Sequence, residues 1–202
     1  MRSAVMRFTV LLVAALGFLG AAKTADDVKD VIDAIHGHGA SAQIIRVGQK
    51  TYANVTILSH SGSCEDALAQ LRNIPLKITV DLTLAHLSDA CWEHLRAAPT
   101  LNKLILTDRK LEDEELSQIG RLTTLRSLAL GMTQFSDERL AALSGLEQLE
   151  WLSLAGSSLG DEGLEHLQEL DRLRVLVLFQ TDVSDEAVAR LKQALPEVHV
   201  LK

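Results

Sequence analysis

Three consecutive stretches decide the fold: LTTLRSLALGMTQFSDERLAALSG (122–145), LEQLEWLSLAGSSLGDEGLEHLQE (146–169) and LDRLRVLVLFQTDVSDEAVARLKQ (170–193). Aligned, they put Leu122, Leu146 and Leu170 in one column, then Leu125, Leu149 and Leu173, then Leu128, Leu152 and Leu176, then Leu130, Leu154 and Leu178. A fixed period of 24 residues marks a solenoid, whose repeats bury their apolar side only by stacking on one another. Leu128 and Leu130, with their counterparts, alternate with residues of the other face, as a strand with one buried side requires. Thr133, Ser157 and Thr181 follow, in a turn where a short hydroxyl can bond to the bending backbone. Arg109 and Ala85 hold that place in earlier coils, which predicts less regular turns there. Leu87, Leu111, Phe135, Leu159 and Val183 then point inward. Ser88, Ser136 and Ser184 read as helix N-caps, each followed by acidic residues suited to the first helical turn. Leu140 with Leu143, Leu164 with Leu167, and Val188 with Leu191 close the core from the helical side.

The spacing L-x-x-L-x-L-x-x-[T/S]-x-[apolar]-[S/G]-D-E resembles the leucine-rich repeat, and is most similar to bacterial, ribonuclease-inhibitor-like repeats. The resemblance implies an α/β horseshoe solenoid with parallel strands on the concave face and short helices on the convex face. It covers residues 53–202 and is strongest over 101–195. It further implies a non-catalytic protein-binding module of the cell envelope or exterior, although one scaffold hosts many ligands.

Extending the period backwards gives coils at 53–76, 77–100, 101–124, 125–148, 149–172 and 173–196, the earliest of them degenerate. Leu58, Glu65, Leu68 and Leu71 carry the first, and Val198 and Val200 form a closing strand after Pro196. Ahead of the coils, Val28, Val31, Ile32 and Ile35 have helical spacing, stopped by Gly37 and Gly39, and Gln43–Val47 reads as a strand. This segment, residues 23–52, is expected to cap the array.

Arg2 and Arg7 precede an uncharged apolar run from Phe8 to Ala22, the layout of an export signal (residues 1–22) cleaved near Gly20-Ala21-Ala22. The chain is therefore expected to be exported to periplasm, envelope or exterior, touching a membrane only if this segment stays attached. The net charge of −7 disfavours phosphate backbones, so no nucleic-acid partner is expected. Cys64 and Cys91 differ by three repeat positions; they read as two small buried residues, or as a disulfide if the diagonal between adjacent coils allows.

No cofactor is expected. Asp89, Asp113, Asp137, Asp161 and Asp185 recur with neighbouring glutamates as an acidic ladder, which could hold a cation but is sufficiently explained by helix-terminus electrostatics. His36-Gly37-His38 reads as a helix end rather than a metal ligand pair, since no third ligand lies nearby. His94 and His166 share a repeat position yet lie three coils apart, roughly 15 Å. No nucleophile elbow, phosphate-cradling loop or H-E-x-x-H is present, so no catalytic residue is expected. The polar residues of the irregular early coils, His60, Asp81, His86, Asp108 and Arg109, are where an enzyme site would have to converge.

The strand residues facing away from the core carry the functional expectation. They are Val55, Ile57 and Ser59; Thr79, Asp81 and Thr83; Lys103, Ile105 and Thr107; Ser127, Ala129 and Gly131; Trp151, Ser153 and Ala155; Val175, Val177 and Phe179. Charge is scarce among them, with Asp81 and Lys103 placed to pair diagonally. Trp151, Val175, Val177 and Phe179 gather at the C-terminal end, an apolar cluster of the kind that marks a protein contact or self-association. Ser153, Ala155, Ala129 and Ile105 complete the expected partner-binding face.

Overall fold

Leu104, Leu128, Leu152, Leu176 and Val200 sit side by side on five adjacent parallel strands, so the sequence period becomes the strand register. The computed structural model describes residues 25–38, 40–47, 50–57, 64–83 and 85–202. The segment expected to be an export signal (residues 1–22), Gly39, Leu58, Ser59, His60 and Ser61 lie outside the described residues. The elements are α1 (Ala25–Gly37), β1 (Ala40–Val47), β2 (Lys50–Ile57), α2 (Cys64–Ala69) with a 3-10 turn (Gln70–Asn73), β3 (Lys77–Asp81), α3 (Asp89–Arg96), β4 (Leu101–Ile105) and α4 (Asp113–Gly120). There follow β5 (Ser127–Ala129), a 3-10 helix (Asp137–Gly145), β6 (Trp151–Ser153), α5 (Asp161–Glu165), β7 (Val175–Val177), α6 (Asp185–Ala194) and β8 (His199–Leu201). The strands form one open sheet in chain order from β1 to β8. Fully buried leucines at 104, 106, 128, 130, 152, 154, 176 and 178 line its inner side.

The first strands depart from the expected register. Val55 pairs with Val80, an offset one residue longer than the 24-residue period. Side chains alternate along a strand, so a one-residue slip exchanges the two faces. Ala53, Val55 and Ile57 are therefore buried in the core, and Tyr52, Asn54 and Thr56 take the concave positions assigned to Val55 and Ile57. The strand before β2 starts at Ala40 and runs antiparallel to it. This hairpin, not a lone strand, closes the N-terminal side of the sheet. Val28, Ile32 and Ile35 of α1 pack into the core below it, and His36 accepts the Ala42 N–H on Nε2 at 3.1 Å, tying α1 to β1.

Four successive coils turn through a residue with positive φ: Asp108 (56°), Met132 (54°), Gly156 (68°) and Gln180 (58°). The N–H groups of Asp108, Met132 and Gly156 bond the next coil's carbonyls at Gly131, Ala155 and Phe179 (3.1, 2.7 and 2.7 Å). Thr133, Ser157 and Thr181 donate their hydroxyls to Leu130, Leu154 and Leu178 carbonyls at 2.5, 2.6 and 2.8 Å, as expected. The turn before Arg109 keeps the same backbone form, contrary to expectation. Its guanidinium reaches the Ala85 carbonyl at 3.1 Å and pairs with Glu115, replacing the missing hydroxyl by longer contacts.

The convex side is more varied than the sequence implies. Ser88 and Ser184 accept N–H bonds from Cys91 and Ala187 as N-caps, but Ser136 makes no side-chain cap and its coil winds as a 3-10 helix. A 3-10 helix rises further per residue than an α-helix, so fewer residues span the convex edge. Here the coils touch backbone to backbone: a Cβ on Gly120 would lie 1.8 Å from the Ala142 carbonyl oxygen.

Candidate functional site

Two columns of side chains cross the concave sheet. One runs Asn54, Thr79, Lys103, Ser127, Trp151, Val175 and His199; the other runs Thr56, Asp81, Ile105, Ala129, Ser153, Val177 and Leu201. A third row follows at the ends of the strands, with Thr83 and Thr107 bonded through their hydroxyls at 3.1 Å. Gly131 leaves the floor low, because a Cβ there would meet the Ala155 carbonyl oxygen at 3.1 Å. The sheet thus grades from polar at β2 and β3, through small residues at β5, to apolar at β6, β7 and β8.

Trp151 and Val175 are direct register neighbours, as are Ser153 and Val177. Trp151, Val175 and Val177 are half-buried and Phe179 is 49% exposed. Ser153, Ala155 and Ile105 are half-buried beside them, while Ala129 is buried, at 8%. Two apolar residues that the sequence reading omitted enlarge this patch. Leu201, 46% exposed, lies beside Val177. Met132, 60% exposed, stands in the turn beneath Gly156. Carrying the 24-residue step once more beyond Val177 would have found Leu201; nothing in the sequence marks Met132.

Asp81 and Lys103 do not pair diagonally. Asp81 Oδ1 accepts the Thr83 N–H at 3.1 Å and its hydroxyl at 2.7 Å. Lys103 turns the other way, its Nζ 5.1 Å from the centroid of the Trp151 ring. The local carboxylate–threonine turn satisfies Asp81, and the indole face offers the ammonium a cation–π contact.

On the rim, the recurring carboxylates join coil to coil. Asp137 Oδ1 accepts the Gly160 N–H at 3.0 Å. Asp161 accepts both the N–H and the hydroxyl of Ser184 at 2.6 Å. Those bonds, hydroxyl first and N–H second, hold the Asp161 carboxyl below its usual pKa, against a small opposing effect of desolvation and with help from Arg190 and Lys202. Asp113 pairs with Arg139, and Asp185 with Lys202, which lowers its pKa too. Asp137 and Asp161 are thus committed to the next coil's helix start, and Asp113 and Asp185 to a cation. Among the described residues no three His, Cys, Asp or Glu side chains cluster to hold a metal ion. An open groove of about 370 Å³ sits between Lys110, Glu112, Gln134, Phe135 and Ser158 on the same rim.

The polar residues of the early coils are not brought together where they are described. Asp81 is on the concave face bonded to Thr83, Arg109 is paired with Glu115, and Asp108 and His86 are exposed. No described helix is long and apolar enough to cross a membrane.

Parallel strands in a 24-residue register, short helices opposite and hydroxyl-pinned turns in the three later coils define a leucine-rich repeat solenoid. No family model and no curated protein matches the chain. Among solved structures it is similar to an internalin of Listeria monocytogenes, at 22% identity over 73% of this chain and 40% of that one, with a TM-score of 0.51. It is also similar to TLR13 in its complex with ssRNA13, at 19% identity over 73% of this chain and 21% of that one, with a TM-score of 0.52. The chain spans less than half the length of either, and the likeness is one of fold.

Proposed function

We propose that the chain is a non-catalytic protein-binding module, exported to the cell envelope or exterior, that seats a protein partner on the C-terminal half of its concave sheet. The observation that carries this reading is the continuous apolar surface of Trp151, Val175, Val177, Phe179 and Leu201 on adjoining strands. Apolar side chains held on a sheet lose little freedom on binding, and an aromatic anchor ringed by aliphatic groups is the composition of an interface hot spot. Ser127, Ala129, Gly131, Ser153 and Ala155 keep the neighbouring floor low, so a partner's side chains can approach the backbone. The Arg2/Arg7 and Phe8–Ala22 layout supports export.

The test is affinity capture from an envelope extract of the source cells with two baits, the wild-type chain and Trp151→Asp/Val177→Asp, circular dichroism confirming that both fold. Phe179→Asp, at an exposed position, serves as a milder companion. A partner held by the wild type and lost by the variants supports the assignment; equal capture by all baits rejects this face. A second reading, self-association, is favoured by exposed Phe179 and Leu201 adjoining the open β8 edge. Concentration-dependent sedimentation of the wild type, abolished by Phe179→Asp, would establish it instead.

A further inference from the structure

Cys64 opens α2 and Cys91 lies in the first turn of α3, on adjacent coils. Their Sγ atoms are 2.8 Å apart, well inside the contact distance of two unbonded sulfurs. The surroundings hold this approach in place. Ser88, the N-cap of α3, accepts the Cys91 N–H at 3.4 Å and lies 3.5 Å from Cys91 Sγ. The Ser88 hydroxyl also donates to Glu65 Oε1 at 2.6 Å, bridging the same two coils. Cys91 is buried, and Cys64 is half-buried.

The two sulfurs titrate as a pair. The Cys64–Cys91 hydrogen bond, with help from Ser88, pulls Cys91 down to about 6, and the same bond followed by burial pushes Cys64 up. Cys91 is thus the sulfur that gives up its proton more readily, and a thiolate is the species from which thiol–disulfide exchange proceeds.

We propose that Cys64 and Cys91 are a disulfide-forming site that clasps α2 to α3 and ties the first helical coil covalently to the second. The oxidant is a small-molecule disulfide such as oxidised glutathione. Cys64, the more exposed sulfur, attacks after its proton has passed to Cys91 along the shared hydrogen bond. The external S–S bond breaks and one glutathione thiolate leaves. Cys91 then gives up that proton and attacks the Cys64 sulfur of the mixed disulfide, forming the Cys64–Cys91 bond and expelling the second glutathione. Two protein sulfurs are oxidised and one external disulfide is reduced; the one proton that Cys91 gives up ends on one glutathione, and the other glutathione departs as its thiolate.

The clasp falls where the solenoid is least regular. The strand register slips between β2 and β3 and shifts again between β3 and β4, and α2 has six residues before it tightens into a 3-10 turn. A bond between residues 27 apart removes chain entropy from the unfolded state in the coils whose packing is least uniform.

The experiment equilibrates the full chain with excess oxidised or excess reduced glutathione, then titrates thiols under denaturing conditions, maps peptides without reduction and records thermal melts. The expected result is two thiols in the reduced chain and none in the oxidised one, a Cys64–Cys91 peptide link within one chain, and a melting temperature raised by roughly 5–10 °C on oxidation. Cys64→Ser and Cys91→Ser should each abolish the oxidation-dependent shift. Thiols that still titrate after oxidation, a persistent glutathione adduct, a bond between two chains, or an unchanged melting temperature would each overturn the proposal. The wild-type comparison decides the matter even where a serine variant folds poorly.

Discussion

Lys103 reaches across a whole strand to Trp151: its Nζ lies 5.1 Å from the indole centroid, yet the two residues stem from β4 and β6 with Ser127 between them. Adjacent strands are ~4.8 Å apart, so the lysine stem must lie over Ser127, and only a small residue there leaves it room. The one tryptophan on the concave sheet is therefore partly covered by a cation. A partner that uses Trp151 must either displace that ammonium or accept it as part of the contact.

This pairing should be measurable in the free protein. Lys103→Ala is expected to cost about 0.5–1 kcal/mol in urea unfolding, the range of a partly exposed cation–π contact, and Lys103→Arg to retain most of it. Ser127→Leu should cost as much as Lys103→Ala, and the double variant no more than the larger single one, because both break one contact. Additive losses would show that the two residues act separately.

The positive φ at Gln180 (58°) sits in an exposed turn residue. Non-glycine side chains in this region are strained, while glycine adopts it freely. Gln180→Gly should therefore raise stability by about 0.5–1 kcal/mol, against the usual cost of a new glycine. Gly156→Ala, at φ 68° with Met132 Cγ 3.2 Å from the added carbon, should do the reverse by a similar or larger amount. Paired denaturation curves would read both signs.

Asp161 predicts an acid dependence. Its folded pKa lies below the ordinary value of 3.8 because Ser184 donates to the ionised form. A depressed carboxyl contributes stability above its unfolded pKa and loses it as pH falls through the folded value. The wild type should therefore melt above Asp161→Asn at neutral pH, and the gap should close as pH falls from about 4 downward. A gap constant down to strong acid would show that shape, not charge, joins Asp161 to Ser184.

Gly120 is the strongest constraint on the convex side. Any Cβ there meets the Ala142 carbonyl oxygen at 1.8 Å, a backbone atom that cannot swing aside as a side chain could. Gly120→Ala should destabilise the fold by about 3 kcal/mol or more, at the upper end of overpacking costs. Loss within 1 kcal/mol would mean that the α4 and Asp137–Gly145 helices can slide apart.

The central and C-terminal coils were legible because the leucine columns state their own register. Leu128 beside Leu152 beside Leu176 needs no information beyond spacing, and so Trp151 beside Val175 could be read as well. The early coils were not legible for the same reason. Between Val55 and Val80 one extra residue enters, and apolar residues at 53, 55, 57 and 58 allow either parity, so pattern alone could not choose the buried face. The hairpin partner of β2 was read only as a strand, because nothing local distinguishes an antiparallel neighbour from a parallel one. Side-chain reach was beyond spacing altogether: Lys103 could face Asp81 or Trp151, and only the competing Thr83 hydroxyl at Asp81 explains the outcome. Ser136 reads like Ser88 and Ser184, yet its coil is pressed against Gly120 and winds differently.

The reversal of β1 makes the two ends of the sheet unequal in a way that bears on how such a chain can change its length. From β2 to β8 every neighbour runs in the same direction, so the edge exposed by one coil repeats the edge of the coil before it. A duplicated unit of 24 residues, inserted among the later coils, would find the same seat above and below. The outer edge of β1 runs the other way and carries Ile44, Ile45 and Arg46 toward solvent. A further coil running with the others would have to pair antiparallel there. Tandem duplication therefore finds a repeated parallel seat only on the β8 side of the hairpin, which is the point from which the coils are counted.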